Sequence, residues 1–328
     1  MLTYVLRRVA LGLTVLLATL VAAFLLFFAG PADPAQAMCP EQRCSAERLV
    51  EIRANLGLDR PLAVQFSEYF GGLFVGRDFA FAGDVVHCSA PCLGMSFLTK
   101  RPVSEEIFSR FPATVLLALG TVIVFLAVGV SVGVITARAR GTVLDRLLIG
   151  GSQVFGAIPY YVIALVFALY LTRIHGILPQ SVPLSQGLLG FLAGLIAPCL
   201  LLGLVYSAGY ARYTRSSMIE ALSTDYVRTA RSKGLPEVSV LRSHALRAAI
   251  GPVVTILGLD VAALLSGTLV TEKIFEIDGI GKLSIDALGR DDLPVIMGTV
   301  LVTAFLVVTL NLVVDVAYSF IDPRVRLS

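Results

Sequence analysis

From Val9 to Ala29 the chain carries no charged residue, and the same holds for Pro112 to Ala137 and for Leu147 to Thr172. Gly187 to Tyr206 is a fourth such stretch. Ala248 to Thr271 holds one charge, Asp260, and Leu293 to Ile321 holds one, Asp315. About 20 mostly apolar residues suffice for a helix to cross the hydrocarbon core of a bilayer. The six stretches therefore predict an all-α polytopic membrane protein with six transmembrane helices. Apolar residues run on without the period-two alternation of a membrane β-barrel strand. Composition agrees: 56% of the 328 residues are hydrophobic, 15% are charged, and mean hydropathy is +0.85. That balance excludes a disordered chain, a collagen and a nucleic-acid-binding domain. The net charge of +3 says little about partners. Gly129 and Gly133, four apart in the second stretch, permit close helix contact without requiring it.

The first stretch also resembles a secretory signal, with Arg7 and Arg8 as a charged region and Ala35-Gln36-Ala37 as a cleavage site. Its apolar run exceeds the roughly 7–15 residues of such signals, so a retained helix is expected. Orientation follows the basic residues of short loops. One side collects Arg7, Arg8, Arg138, Arg140, Arg146, Arg212, Arg215, Arg228, Arg231, Lys233, Arg242, Arg247, Arg324 and Arg326, more than half of the 26 in the chain. That side is the cytoplasm, which puts both termini inside. The expected organisation is a first transmembrane helix (1–30), an extracytoplasmic loop (31–111), a five-helix core (112–321) containing a cytoplasmic loop (208–250), and a cytoplasmic tail (322–328).

Four of the 5 cysteines, Cys39, Cys44, Cys88 and Cys92, fall in the long outer loop. An even number on the oxidising side points to two disulfides, the local pairs Cys39–Cys44 and Cys88–Cys92 being simplest. A four-thiolate zinc site is the alternative. Cys199, inside a stretch, is a small apolar packing residue. Aromatic residues of the loop, among them Phe66, Tyr69, Phe70, Phe74, Phe79 and Phe81, predict that it folds.

The inner loop is basic and too polar for the bilayer. Glu220 to Lys233 has a helical pattern, Gly234 allows a left-handed stop, and Leu235-Pro236-Glu237 starts a second helix with Pro near its beginning. A short rigid helix there suits transmission of force from a soluble partner. An interfacial helix on anionic lipid is an equal alternative.

No enzymatic signature accompanies the apolar stretches. Gly279-Ile280-Gly281-Lys282-Leu283 lacks the first Gly and the final Ser/Thr of a phosphate-binding loop, those positions being Glu276 and Leu283. His87, His175 and His244 are widely separated, and no H-E-x-x-H or G-x-S-x-G pattern occurs. A charge at mid-membrane costs about 2.5–3.5 kcal/mol on insertion scales and marks a functional candidate. Asp260 is either a residue of a translocation path or a polar contact to a neighbouring helix. Asn311 and Asp315 share a helix face near a span end.

Several segments together resemble a known family. Asp225-Tyr226-Val227-Arg228-Thr229-Ala230-Arg231, Lys233-Gly234-Leu235 and His244-Ala245-Leu246-Arg247 with Pro252 are similar to the EAA-type loop of ABC-importer permeases, in the dipeptide and oligopeptide subfamily. Leu56-Gly57-Leu58-Asp59-Arg60-Pro61-Leu62, Arg110-Phe111-Pro112-Ala113-Thr114, Ile274-Phe275 with Gly279-Ile280-Gly281, and Asp322-Pro323-Arg324-Val325-Arg326 resemble further elements of that subfamily, in the same order. The pattern departs at Asp278 (usually Pro), Asp260 (an amide), Asp291 (an Arg) and Ala248 (often Asn), and the stretches around Cys39 and Cys88 look inserted.

The resemblance implies a six-helix type I ABC-importer permease fold in the bacterial inner membrane, importing di- or oligopeptides. It implies a second homologous permease, two cytoplasmic ATPase subunits or one fused ATPase, and an extracytoplasmic peptide-binding protein, with no cofactor on this chain and ATP and magnesium on the ATPases. It assigns ATPase coupling to Glu220, Asp225, Tyr226, Arg228, Ala230, Gly234 and Leu235. Import of nickel chelates or glutathione by the same fold is an alternative, as is a stand-alone secondary carrier or an intramembrane protease.

Overall fold

A computed structural model describes residues 2–28, 35, 45–55, 58–81 and 84–321. Cys39, Cys44, Gln36, Ala37, Leu56, Gly57 and the Asp322–Arg326 ending lie outside the described residues. The helices are α1 (Leu2–Phe28), α2 (Ala46–Asn55), α3 (Leu62–Val75), α4 (Val103–Arg138), α5 (Val143–Ala157), α6 (Tyr160–Phe167), α7 (Leu188–Leu222), α8 (Asp225–Ser232), α9 (Leu246–Gly267), α10 (Leu269–Ile274), α11 (Ile280–Leu288) and α12 (Leu293–Ile321). Against the all-α expectation, two antiparallel strands, β1 (Arg77–Phe81) and β2 (Asp84–Cys88), pair from Arg77↔Cys88 to Phe81↔Asp84. They belong to the outer loop, where alternating Phe79 and Val86 reach a small buried cluster with Cys88, Cys92 and Met95.

Four helices are long and apolar enough to cross a membrane: Val5–Phe28, Val103–Arg138, Leu188–Leu222 and Leu293–Val316. Glu237–Val254 and Ile256–Leu264 make a fifth if counted together, bent by 44°. The remaining predicted stretch, Leu147 to Thr172, is helical but broken. Ile158 is extended and Pro159 begins α6, because the proline ring disfavours helical geometry at the preceding residue. From Ala168 to Ile174 the chain continues as a π-helical turn.

Contacts divide the chain into two compact units. One takes the described residues of Met1–Thr114 and Asp278–Ser319, and the other Val115–Ile277. In the first unit, Leu20, Ala23 and Phe24 of α1 pack with Tyr69 of α3 and Met297 of α12, and Phe66 meets Phe24 edge-on at 5.2 Å. The loop that carries α3 is thus folded against α1 and α12. Val103 and Ile107 pack with Ile280, Leu283, Val295 and Ile296. This burial starts α4 well before its apolar stretch, which leaves Pro112 inside the helix. Asp292, 3% exposed, accepts bonds from the Ser96 hydroxyl and from the Phe97 amide at 3.1 Å. Arg8 pairs with Asp315 at 2.9 Å, joining α1 to the far end of α12.

In the second unit, α4 and α7 approach along a seam of glycines. A Cβ on Gly129 would lie 2.6 Å from Cβ of Tyr210, and one on Gly133 would lie 2.5 Å from Cβ of Thr214. The close contact that this glycine pair permits is present, and it is made within the chain. Gly133→Leu is expected to destabilise the folded protein by roughly 1–3 kcal/mol through overpacking. Thermal unfolding in detergent would show the loss as a lowered Tm, whereas Gly150→Ala, where a Cβ meets nothing within 4 Å, is the milder comparison.

Candidate functional site at the inner loop

The inner loop is carried on an unusually long helix. α7 has 35 residues, which at 1.5 Å each is about 52 Å, against about 30 Å of hydrocarbon. It continues beyond the expected span, through Arg212 and Arg215, to Leu222. Ser223 and Thr224 break it: Thr224 turns extended (ψ 153°) and its hydroxyl donates to the Ala221 carbonyl at 2.6 Å. Asp225 then opens α8, where an acidic residue favours the helix N-terminus.

α8 is amphipathic over only two turns. Val227 and Ala230, three apart, are buried against Val240 and Leu222. Full burial of a Val side chain contributes about 1.5–3 kcal/mol, which offsets the marginal stability of so short a helix. Asp225, Tyr226, Arg228 and Thr229 face outward. Gly234 ends the helix with φ +77°. Its amide donates to the Arg231 carbonyl at 2.9 Å, and the Leu235 amide donates to the Ala230 carbonyl at 3.4 Å. This paired closure is a Schellman motif, and its left-handed residue is the reason for glycine. Pro236 follows, and a helical turn from Glu237 leads through the π-helical Val240–Ala245 into α9. Arg231 donates to both carboxylate oxygens of Glu237, at 3.2 and 2.8 Å, across that turn.

Seven sequence-predicted residues can now be located. Asp225, Tyr226 and Arg228 are exposed on α8, while Gly234 and Leu235 form its exposed end. Ala230 is buried, so it shapes the seat of α8 and offers no outward surface. Glu220 stands apart on the last turn of α7. Tyr226, Leu235 and Val238 leave apolar surface exposed around the turn (46%, 39% and 61%). Beneath this surface, Ala137 at the end of α4, Met218 and Ala221 of α7, and Leu241, Ala245 and Ala249 form one core. Movement of α8 is thus tied to three long helices.

A second joint was not foreseen. Asp145 of α5 is buried and accepts two bonds from Arg215 of α7, at 2.7 and 2.8 Å, and one from the Gly141 amide at 2.9 Å. Hydrogen bonding from Arg215, then from Gly141, holds its carboxyl down at about 2. The sequence signal was Thr142-x-x-Asp145 at a helix start, where the Thr142 hydroxyl accepts from the Asp145 amide at 3.4 Å. The partner 70 positions away had no local signature.

Asp260 on α9 accepts a hydrogen bond from the Tyr210 hydroxyl of α7 at 2.8 Å and is half-buried. Cys88 and Cys92 form a disulfide with Cα atoms 5.5 Å apart, which removes two of the four thiolates that a zinc site would need. Cys199 is a free, buried thiol beside Gly120 and the Leu117 carbonyl.

Apolar helices of membrane-crossing length define a helical membrane protein. Residues 129–327 match the family described as binding-protein-dependent transport system inner membrane component, and residues 1–118 match the N-terminal region of such membrane components. The chain belongs to this family, and it is an inner-membrane protein. It is 37% identical to a putative peptide transport system permease protein of Brucella abortus, covering 98% of both chains. It is 36% identical to the dipeptide transport system permease protein DppB of Escherichia coli, covering 99% of both, and 35% identical to the di/tripeptide transport system permease protein DppB of Pseudomonas aeruginosa, also over 99%.

Because the folded Asp145 carboxyl titrates below its ordinary value near 4, the pair's stabilisation is complete above that pH. It fades only as pH falls towards about 2. Asp145→Asn is therefore expected to lower Tm by a constant amount from neutrality down to about pH 4. The gap from the parent protein should narrow below that, as read by paired thermal melts across the pH series.

Proposed function

We propose that this protein is a permease subunit of an ATP-driven importer of di- or oligopeptides. Six membrane passes, with the broken α5–α6 segment and the bent α9 segment as the third and fifth, and cytoplasmic termini complete the reading. The observation that carries it is the agreement over nearly the whole chain with permeases named for peptide transport. The presented helix α8, seated on a core shared by α4, α7 and α9, supports it independently.

In this reading the chain pairs with a second permease of the same family to enclose the path. A binding protein delivers the peptide to the outer loop. Two ATPase subunits, or one fused ATPase, grip α8 from the cytoplasm and supply ATP and magnesium. Asp225, Tyr226, Arg228, Gly234 and Leu235 form the grip, Ala230 its seat and Glu220 its flank. When the ATPases close, α8 moves as a short rigid rod. The core under it passes the motion to α4 and α7, and the Asp145–Arg215 pair passes it on to α5. Rigid-body motion of this kind reorients the helices between outward and inward access. The chain itself performs no chemistry.

Gly234 tests the coupling. A β-branched side chain at φ +77° costs about 1–3 kcal/mol, enough to reshape the turn. Gly234→Val in the reconstituted complex is expected to leave ATP hydrolysis running while peptide uptake falls; full coupled uptake would refute the assignment. Gly234→Asn, which tolerates this conformation, should retain more uptake.

Asp260 tests the path. With Tyr210 as its partner, Asp260 shapes the α7–α9 contact and still presents a second carboxylate oxygen. Asp260→Asn is expected to reduce uptake of peptides with a free amino terminus, and Tyr210→Phe to reduce it less. Unchanged uptake by Asp260→Asn would leave the residue a helix contact only.

A further inference from the structure

One cation in the first unit has no part in this transport reading. Arg77 opens β1. Its guanidinium carbon lies 4.5 Å from the centre of the Phe79 ring and 5.3 Å from that of Tyr69. Its Nε is shut off from solvent and meets no acceptor. Glu68 is the nearby acid, but it is paired with Arg60. Burial disfavours the charged form of Arg77, and the Tyr69 hydroxyl only partly opposes this.

The side chain lines a partly open pocket whose enclosed space is about 60 Å³. Phe27 and Phe28 at the end of α1, and Leu293, Pro294 and Met297 at the start of α12, supply apolar walls. Both helices are membrane-crossing, so these walls stand where hydrocarbon gives way to headgroups. Gly94, at φ +111°, keeps the guanidinium end open: a Cβ there would lie 3.8 Å from Nη2 of Arg77 and 3.3 Å from Cβ of Pro294.

A buried guanidinium without an acceptor is costly, and aromatic faces offset only part of that cost. A planar fork of donors matches phosphate. A small soluble anion would satisfy the fork yet leave the aromatic walls wet. A molecule with an anionic head and an apolar body satisfies both, and the boundary position supplies one.

We propose that Arg77 and this cavity hold an anionic membrane phospholipid, the phosphate on the guanidinium and the upper acyl chain along Phe27, Phe28 and Met297. The bound lipid ties the outer loop to α1 and α12. Its occupancy follows the anionic-lipid content of the membrane.

The test uses the full-length protein in nanodiscs of phosphatidylcholine alone or mixed with phosphatidylglycerol. Lipid retained through mild delipidation is read by native mass spectrometry, and stability by thermal unfolding. The parent protein is expected to retain one phosphatidylglycerol in preference to phosphatidylcholine and to melt higher when it is present. Arg77→Gln should weaken that preference about tenfold or more, a typical effect of losing a bidentate phosphate contact, while Arg101→Gln, an exposed arginine of the same region, should keep it. Equal retention of both lipids by the parent, or an unchanged preference in Arg77→Gln, overturns the proposal. So does equal stabilisation of the phosphatidylcholine sample by millimolar inorganic phosphate, which would make the site one for soluble anions. If Arg77→Gln does not fold, the parent's comparison of lipid with inorganic phosphate decides alone.

Discussion

Hydrocarbon offers no hydrogen bonds, so backbone groups within a bilayer must be satisfied inside their own helices or by neighbouring protein. Most of this architecture follows from that constraint. α1, α4, α7 and α12 meet it largely alone as continuous helices, α4 and α7 each carrying one internal proline, Pro112 and Pro198. The third predicted stretch does not, since Pro159 interrupts it. Just past the break, the Tyr160 hydroxyl shares a hydrogen bond with the Thr271 hydroxyl at 2.7 Å, which ties this segment to α10.

Polar side chains obey the same constraint. Asp260 has Tyr210, Asp145 has Arg215, Asp292 has Ser96 and the Phe97 amide, and Asp315 has Arg8. Each joins two elements far apart in sequence, so the groups costliest to bury also fix how elements meet. Breaking one partner leaves an uncompensated polar group, a larger penalty than the net worth of the pair.

The segment from Asp225 to Ala245 shows how little sequence is needed to seat a short helix. Two buried side chains, one left-handed glycine and one bidentate ion pair suffice to hold α8 in place. An exposed pair such as Arg231–Glu237 contributes about 0–1 kcal/mol, so most of the stability of α8 comes from Val227 and Ala230 against Val240. The outward residues are left free to meet another surface. Residues 58–102 follow a different logic: an aromatic cluster seats them on α1 and α12, and a disulfide closes the turn after β2.

The sequence by itself determined the membrane setting, the positions of the apolar helices, the turn at Gly234 and the family, because each rests on local composition, local backbone geometry or a short ordered motif. It marked Cys88 and Cys92 as partners for the same reason, being four positions apart. Only the tertiary structure decided that α7 runs unbroken to Leu222, that Ala230 is seat and not surface, that a hairpin interrupts the helical pattern, and that Asp145, Asp260 and Arg77 meet the neighbours they do. Those outcomes depend on contacts between residues tens to hundreds of positions apart. A hydropathy pattern with a period of a few residues carries no record of which distant helix will supply the donor, the ring or the empty space beside a glycine.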